Sequence, residues 1–375
     1  MIEKVAKIMG LSDDLIRGSC FLNRLIPNYV WWMPVAFNVA IINQCNLRCS
    51  ICSRTIYGVE NERMSKEVFL KASVYFQNSK INILGSGEPL LHPDLFDFIQ
   101  ICHQKRCTVR LITNGTLLSE EKTKYLLQYP NLEMLAFSID GMKDNYNKIR
   151  AGSNFETVID NLVRFRELRD SIKTSFPKIV INFVGMKSNI DDFPKLINLL
   201  GSYVDSMELI HPLFYSQETS NDHLNQHIQY AEKVFAESRI IAQKKGISLI
   251  LPPLGHRVRG CIYPWTLPTI GMTGDVYPCH VLGCGDHKKP MMEVYDNISV
   301  LFNSGDHCLG NIMNTDFNLM WNGKQIRKFR AILSAMNIHD LNRRYKGKDY
   351  DEIREMWTLD TFYCKVCPNR WDCAC

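Results

Sequence analysis

The sequence predicts an α/β fold: a partial (β/α)6 barrel of the TIM type, followed by a small C-terminal unit of β-hairpin plus helices. Three observations predict it. From about residue 36 to 250, short apolar, β-prone runs alternate with stretches whose apolar residues recur at three- and four-residue spacing. Loops rich in glycine or cysteine follow the first four of these runs. Beyond Pro252-Pro253 the texture changes to short β-like pieces with many cysteines.

Residues 1–35 form a lead-in. The candidate strands are Ala36–Ile42, Lys80–Leu84, Thr108–Ile112, Met134–Ile139, Ile179–Val184 and Ser206–Ile210. Helical patterns lie between them at Lys66–Asn78, Asp94–Gln104, Ser119–Gln128, Phe155–Arg169 and Asp192–Leu200. Ser65 and Ser119 stand at N-cap positions; Ser119 is followed by Lys122 rather than Glu, so its capping box is only half present. Strand–helix alternation implies βαβ units and a parallel sheet. Six strands make an open or partial barrel, and a closed eight-stranded one would need two more units. A polar loop (Tyr215–Asn221), a long helix (His227–Lys245) and a short strand (Ser248–Leu251) complete residues 36–250. Residues 251–375 are the second unit, with a hairpin signal at Thr273-Gly274-Asp275, a charged helical stretch at 335–360 and a cysteine-dominated tail.

The 375 residues are 46% hydrophobic and 22% charged with a net charge of +5, which excludes a disordered or fibrous chain. No long Lys/Arg run is present, so Arg327-Lys328-Phe329-Arg330 and Arg343-Arg344-Tyr345-Lys346 read as solvated helix faces, not as a nucleic-acid site. The N-terminus has no signal-peptide h-region, and the longest apolar stretch, Tyr29 to Ile42, is too short to span a bilayer and contains Pro34 and Asn38. The expectation is a soluble cytoplasmic protein with no membrane partner. In such a chain, 14 cysteines with C-x-x-C spacings point to metal rather than disulfides. Cys20, Cys102 and Cys107 stand apart and read as ordinary buried thiols.

Three cysteines fall within eight residues as Cys45-x3-Cys49-x2-Cys52, just after the first strand. Iron–sulfur clusters are usually held by four cysteines and structural zinc by four ligands. Three thiolates on one loop are thus either an incomplete site or one with a corner left open, as in catalytic metal centres. Gly85-Ser86-Gly87-Glu88-Pro89 follows the second strand, Thr113-Asn114-Gly115 the third, and Ser138-Ile139-Asp140-Gly141 ends the fourth. Each alone could be a tight turn, and Asp140 could simply stabilise one. Together they occupy the C-terminal strand ends, where parallel α/β folds place active sites.

These motifs resemble those of the radical S-adenosylmethionine (radical SAM) enzymes, over roughly residues 36–250. The resemblance implies a 4Fe-4S cluster on Cys45, Cys49 and Cys52, its fourth iron chelated by the amino and carboxylate groups of S-adenosylmethionine. Reductive cleavage would then give a 5′-deoxyadenosyl radical that takes a hydrogen atom from substrate. By motif position, Gly85, Ser86, Gly87 and Glu88 would meet the methionine amino group; Ser138, Asp140 and Asn114 would face the ribose. Ser86 splits a glycine pair that the family usually keeps adjacent. The C-terminal part resembles the SPASM/twitch extension: Gly260-Cys261-Ile262-Tyr263-Pro264-Trp265, Gly274-Asp275-Val276-Tyr277-Pro278-Cys279, Leu309-Gly310-Asn311-Ile312, Met320-Trp321-Asn322 and Cys364-x2-Cys367-x5-Cys373. It implies at least one auxiliary 4Fe-4S cluster, on Cys261, Cys279, Cys364 and Cys367. Cys373 and Cys375 would stabilise the tail or join Cys284 and Cys308 at a second cluster; Cys284 and Cys308 read equally as plain loop thiols. Zinc would use the same four ligands, and the resemblance favours iron–sulfur.

The resemblance further implies an electron donor such as flavodoxin or ferredoxin and an oxidation, epimerisation or crosslinking reaction. The expected substrate is small and polar, sugar- or aminocyclitol-like. The alternative is a maturase of a ribosomal peptide or protein, against which the short lead-in speaks, since peptide-modifying relatives often carry a leader-binding domain there. His211, His256, His280 and His287 are candidates for proton handling, with none singled out as a base.

Overall fold

A computed structural model describes residues 29–213, 220–254, 262–283, 291–295, 298–302 and 304–335. The strands are β1 (Ala36–Ala40), β2 (Lys80–Leu84), β3 (Thr108–Thr113), β4 (Leu132–Ser138), β5 (Lys178–Val184), β6 (Ser206–Ile210), β7 (Ser248–Ile250), β8 (Thr269–Ile270), β9 (Asp275–Tyr277), β10 (Met291–Tyr295), β11 (Ile298–Phe302) and β12 (Gly310–Asn311). The helices are α1 (Ser53–Tyr57), α2 (Lys66–Ser73), α3 (Leu95–Gln104), α4 (Glu120–Leu127), α5 (Lys143–Ile149), α6 (Phe155–Ser171), α7 (Asp192–Leu200), α8 (Ile228–Lys245), α9 (Tyr263–Thr266), α10 (His280–Gly283), α11 (Phe317–Trp321) and α12 (Lys324–Ala335).

All six expected strands form and pair in parallel in chain order, β1 to β6. Two short parallel strands lengthen the arc: β7 pairs with β6 and β8 with β1. The hairpin expected at Thr273-Gly274-Asp275 is β8–β9, and it extends the barrel sheet rather than standing apart from it. The first strand would otherwise expose a row of unpaired backbone groups on that side. Asn38 N donates to Pro268 O at 2.9 Å and Thr269 lies opposite Asn38, so β8 closes that edge. Strands β10 and β11 form a separate antiparallel pair.

Outward-facing residues make the core between sheet and helices. Val39, Ile81, Ile83, Val109, Leu111, Leu135, Phe137, Ile179, Ile181 and Phe183 are all fully buried there. Both expected N-caps form: Ser65 Oγ accepts from Val68 N (3.3 Å) and Ser119 Oγ from Lys122 N (3.2 Å). The helix expected over Lys66–Asn78 stops at Ser73, and Asn78 turns left-handed (φ 57°) to lead into β2.

The basic run at 327–330 is not wholly a solvated face. Arg330 is fully buried: Nε donates to Pro264 O at 2.7 Å, and the guanidinium lies 4.6 Å over the Trp321 ring. Burial pulls its pKa down to about 9. Cys102 and Cys107 are buried thiols, as expected. No helix among the described residues is long and apolar enough to cross a membrane. Cys20, Cys261, Cys284, Cys364, Cys367, Cys373, Cys375, His256, His287, the 343–346 basic run and the stretch 336–360 lie outside the described residues.

Candidate functional site

The four loops meet at the C-terminal end of β1–β4 around a cavity of about 240 Å³. Cys45, Cys49 and Cys52 line it together with Gly85, Ser86, Gly87, Glu88, Asn114 and Ser138. The cysteine loop is fixed from two sides. Arg48 N donates to Ala151 O (2.9 Å) and Ser50 N to Ile149 O (2.8 Å), while the Arg54 guanidinium reaches back to Leu47 O. Asn114 Nδ2 donates to Asn46 Oδ1 (3.0 Å), tying this loop to the one after β3.

The two glycines of the second motif have a role that precedes any ligand. Gly87 N donates to Ile42 O (3.2 Å) and Glu88 N to Gln44 O (2.9 Å), zipping this loop onto the segment that enters the cysteine loop. A Cβ at Gly85 would stand 2.4 Å from Ile42 O, and one at Gly87 2.4 Å from Gln44 O. Only glycine permits that approach; Gly85 also needs φ of 150°.

Glu88 is buried with its carboxylate turned to the protein. Thr113 Oγ1 donates to it at 2.7 Å, Asn114 N at 2.7 Å and Leu90 N at 3.1 Å. Burial pushes its pKa up, and the three donors pull it back. The Thr–Asn–Gly motif therefore holds the Gly–Glu motif, a coupling that sequence reasoning missed. Thr113 was legible as part of its motif but not as a partner of Glu88.

Asp140 does not line the cavity. Its fully buried carboxylate accepts from Val184 N (2.8 Å) and pairs with the Arg150 guanidinium (2.7 Å). In the protein itself Asp140 positions Arg150, and Arg150 lines the cavity. Arg150 sits in Ile149-Arg150-Ala151, whose flanking carbonyls anchor the cysteine loop, and no sequence signal marked it.

Burial pushes the Cys49 thiol up to about 11, and the Arg150 charge acts against that. Burial also raises Cys45, opposed by the Leu47 N–H donated to its sulfur at 3.4 Å. Asn114 Nδ2 approaches the same sulfur at 3.7 Å. Among the described residues no three His, Cys, Asp or Glu side chains are gathered as a metal-binding group. The donor set still suits an iron–sulfur cluster: three thiols on one loop, N–H donors aimed at sulfur, and an apolar wall of Leu47, Ile51, Leu84 and Ile112.

A second cavity of about 630 Å³ fills the barrel interior. It shares Ile51, Cys52, Leu84, Ser86 and Ile112 with the first. His211 and His280 stand on its wall, where desolvation pulls the His280 imidazole down to about 4. Of the four cysteines expected at the first auxiliary cluster only Cys279 is described, buried beside Val281 and Leu282. Cys308 donates to Gly310 O at 3.5 Å.

Residues 39–200 match the radical SAM superfamily, and residues 261–368 match SPASM, an iron–sulfur cluster-binding domain. The chain is 30% identical over 191 residues to the tungsten-containing aldehyde ferredoxin oxidoreductase cofactor-modifying protein of Pyrococcus furiosus, covering 48% of this chain and 52% of that protein. It is 30% identical over 184 residues to a probable GTP 3′,8-cyclase of Methanocaldococcus jannaschii, covering 47% and 59%. The chain thus spans between half and three-fifths of these curated relatives. Streptococcus suis SuiB aligns with TM-score 0.60 when bound to S-adenosylmethionine and 0.58 when bound to its precursor peptide SuiA, at 16% and 14% identity. Those alignments cover 87% and 84% of this chain and 76% and 71% of SuiB; at such identity the likeness is one of fold. The first domain implies a 4Fe-4S cluster and S-adenosylmethionine, and the second implies auxiliary iron–sulfur clusters.

Proposed function

The chain joins a domain of the radical SAM superfamily to a C-terminal SPASM domain, and on that premise we propose that it is an enzyme acting on a substrate seated in the barrel interior. The observation that carries this reading is the shared wall: Cys52 and Ser86 face both the cysteine cavity and the larger one. Cys45, Cys49 and Cys52 would hold the cluster. Gly85, Ser86, Gly87, Glu88, Asn114 and Ser138 would hold S-adenosylmethionine in the 240 Å³ cavity. When bound and reduced, these groups supply a 5′-deoxyadenosyl radical able to take hydrogen from substrate.

The chain's own residues do the placing. Glu88 and its three donors fix the second loop, and the glycines fix that loop to the first. Arg150, its charge matched by Asp140, lines the cavity beside Cys49. Leu47, Ile51, Leu84 and Ile112 give the reacting centre an apolar wall. Cys261, Cys279, Cys364 and Cys367, with Cys373, would carry auxiliary iron, and flavodoxin or ferredoxin would supply electrons.

The substrate is small and polar, of sugar or aminocyclitol type. A cavity of 630 Å³ falls within the range of small-ligand sites, about 300–1,000 Å³. The second reading, a peptide or protein maturase, draws support from the fold likeness to SuiB, a structure solved with its precursor peptide. Anaerobic reconstitution, reduction and assay of 5′-deoxyadenosine test the enzyme reading. Cys49→Ala should remove about four irons per chain and abolish cleavage. A fully loaded wild type that yields no 5′-deoxyadenosine, or a Cys49→Ala variant that keeps it, refutes the reading.

A further inference from the structure

Barrels of this class pack branched aliphatic side chains inside. This one does not. Asn38, Asn82, Arg110, Met134, Asn182 and Glu208 face the large cavity, and the register sets Asn38 opposite Asn82, Asn82 opposite Arg110, and Asn182 opposite Glu208.

Most of these polar groups are satisfied within the protein. Asn82 Nδ2 donates to Asn38 Oδ1 at 2.9 Å, and Asn38 Nδ2 to Thr269 Oγ1 at 3.5 Å. A bulge pairs Val109 with Leu132 and Arg110 with Met134, leaving Glu133 over. Arg110 Nε and Nη2 donate to the Glu133 carboxylate, both at 3.2 Å, and Lys80 approaches the same carboxylate at 3.5 Å.

Glu208 differs. It is half-buried in mid-strand, and among the described residues its carboxylate accepts no hydrogen bond and forms no ion pair. Arg110 acts on it only as a charge at a distance, because Glu133 holds the guanidinium. Beside it, Asn182 Oδ1 is buried with no hydrogen-bond partner, while the Glu208 carboxylate stays open to the cavity. A buried polar atom such as Asn182 Oδ1 is normally matched, and a half-desolvated carboxylate lining a cavity offers a ligand an unmatched charge. A carboxylate is matched best by a cation that also donates hydrogen bonds, and an ammonium brings three donors. A hydroxyl would leave the charge uncompensated.

We propose that Glu208 anchors the substrate by binding a primary ammonium group, with Asn182 beside it and the remainder of the substrate reaching along the cavity toward Cys52 and Ser86. The proposal rests on the reading of this cavity as the substrate site. The ammonium could belong to an amino sugar or aminocyclitol, or to a lysine side chain of a peptide. The source is open; the recognising chemistry is shared.

Calorimetric binding to the purified, unreduced protein tests it. The panel is matched in pairs: glucosamine with glucose, 2-deoxystreptamine with its hydroxyl counterpart, and Nα-acetyl-lysine amide with Nα-acetyl-norleucine amide. At least one amine should bind roughly tenfold to a hundredfold tighter than its partner, and Glu208→Gln should erase the difference. Glu208→Asp, which keeps the charge, should retain the preference at weaker affinity and covers the case in which the Gln variant fails to fold. The winning pair names the source. Equal binding within every pair, a preference that survives Glu208→Gln, or no amine bound at all overturns the proposal. Because binding needs no reduction, an amine preference in a protein that makes no 5′-deoxyadenosine would sink the radical reading and leave the anchor standing; the converse result would do the reverse.

Discussion

Replacing Glu88 with Gln probes how the loops hold one another. In the native protein three donors converge on the carboxylate: Thr113 Oγ1, Asn114 N and Leu90 N. An amide offers one acceptor oxygen and an NH2 group. If the oxygen faces Asn114 N, the NH2 meets the Leu90 N–H; in the reverse orientation it meets the Asn114 N–H. Either way a buried backbone donor loses its partner, a cost of about 1–3 kcal/mol, and the surviving bonds lose charge assistance worth about 1 kcal/mol. Relief of the carboxylate's desolvation, the cause of its raised pKa, offsets part of this. The net expectation is a loss of about 2–3 kcal/mol. Anaerobic urea unfolding of Glu88→Gln, Thr113→Val and the double variant measures it, with a coupling of at least about 1 kcal/mol between the two sites. A Gln variant within about 0.5 kcal/mol of wild type, or strict additivity with Thr113→Val, would refute the argument.

Gly87→Ala should cost about 2–4 kcal/mol, because its methyl meets backbone oxygen rather than a side chain that can move; a variant of native stability would show that the two loops are not zipped as described. Asp140→Ala leaves the Arg150 guanidinium in a buried setting without its partner and should cost about 3–5 kcal/mol, with Arg150→Met added to it restoring part of the loss. Additive losses in the double variant would break the pairing argument. His280 supplies a pH dependence. Its folded-state pKa of about 4 lies below the usual 6.5, so as pH falls the unfolded chain takes up the proton first. Stability should be full above 6.5, fall between 6.5 and about 4 by at most about 3 kcal/mol, and level off below. His280→Gln should flatten that segment of the urea-midpoint profile, and an unchanged slope would assign the acid sensitivity elsewhere.

Much of this arrangement was legible before any coordinates. The six main strands were readable because each carries Val, Ile, Leu or Phe on its helix-facing side. The cavity-lining cysteines, glycines, Glu88, Asn114 and Ser138 were readable because loops at parallel strand ends have one place to meet. What was not legible depended on partners far apart in sequence. Asp140 could be placed at a strand end, but not its pairing with Arg150. The burial of Arg330 depends on Trp321 and on Pro264, 66 residues away. The polar interior did leave a sign that went unused. Strands covered on both faces read as unbroken apolar runs, whereas Asn82, Arg110, Asn182 and Glu208 interrupt theirs at every second position. That alternation marks a barrel with a hollow centre.

The arc of parallel strands runs from β8 to β7 without those two pairing with each other. Between them the large cavity is walled by Leu251, Pro252, Tyr263 and Leu267, which belong to no strand. The cysteine, glycine and Asn114 loops follow β1 to β3, of which β1 pairs with β8. The motif loops are thus constrained by backbone contacts that tolerate almost no change, while the seam is bounded by loop residues and the start of α9, which strand pairing does not dictate. A lineage could reshape which molecule enters by altering that seam alone, leaving the reactive machinery intact. An engineer seeking a new substrate range has the same place to begin.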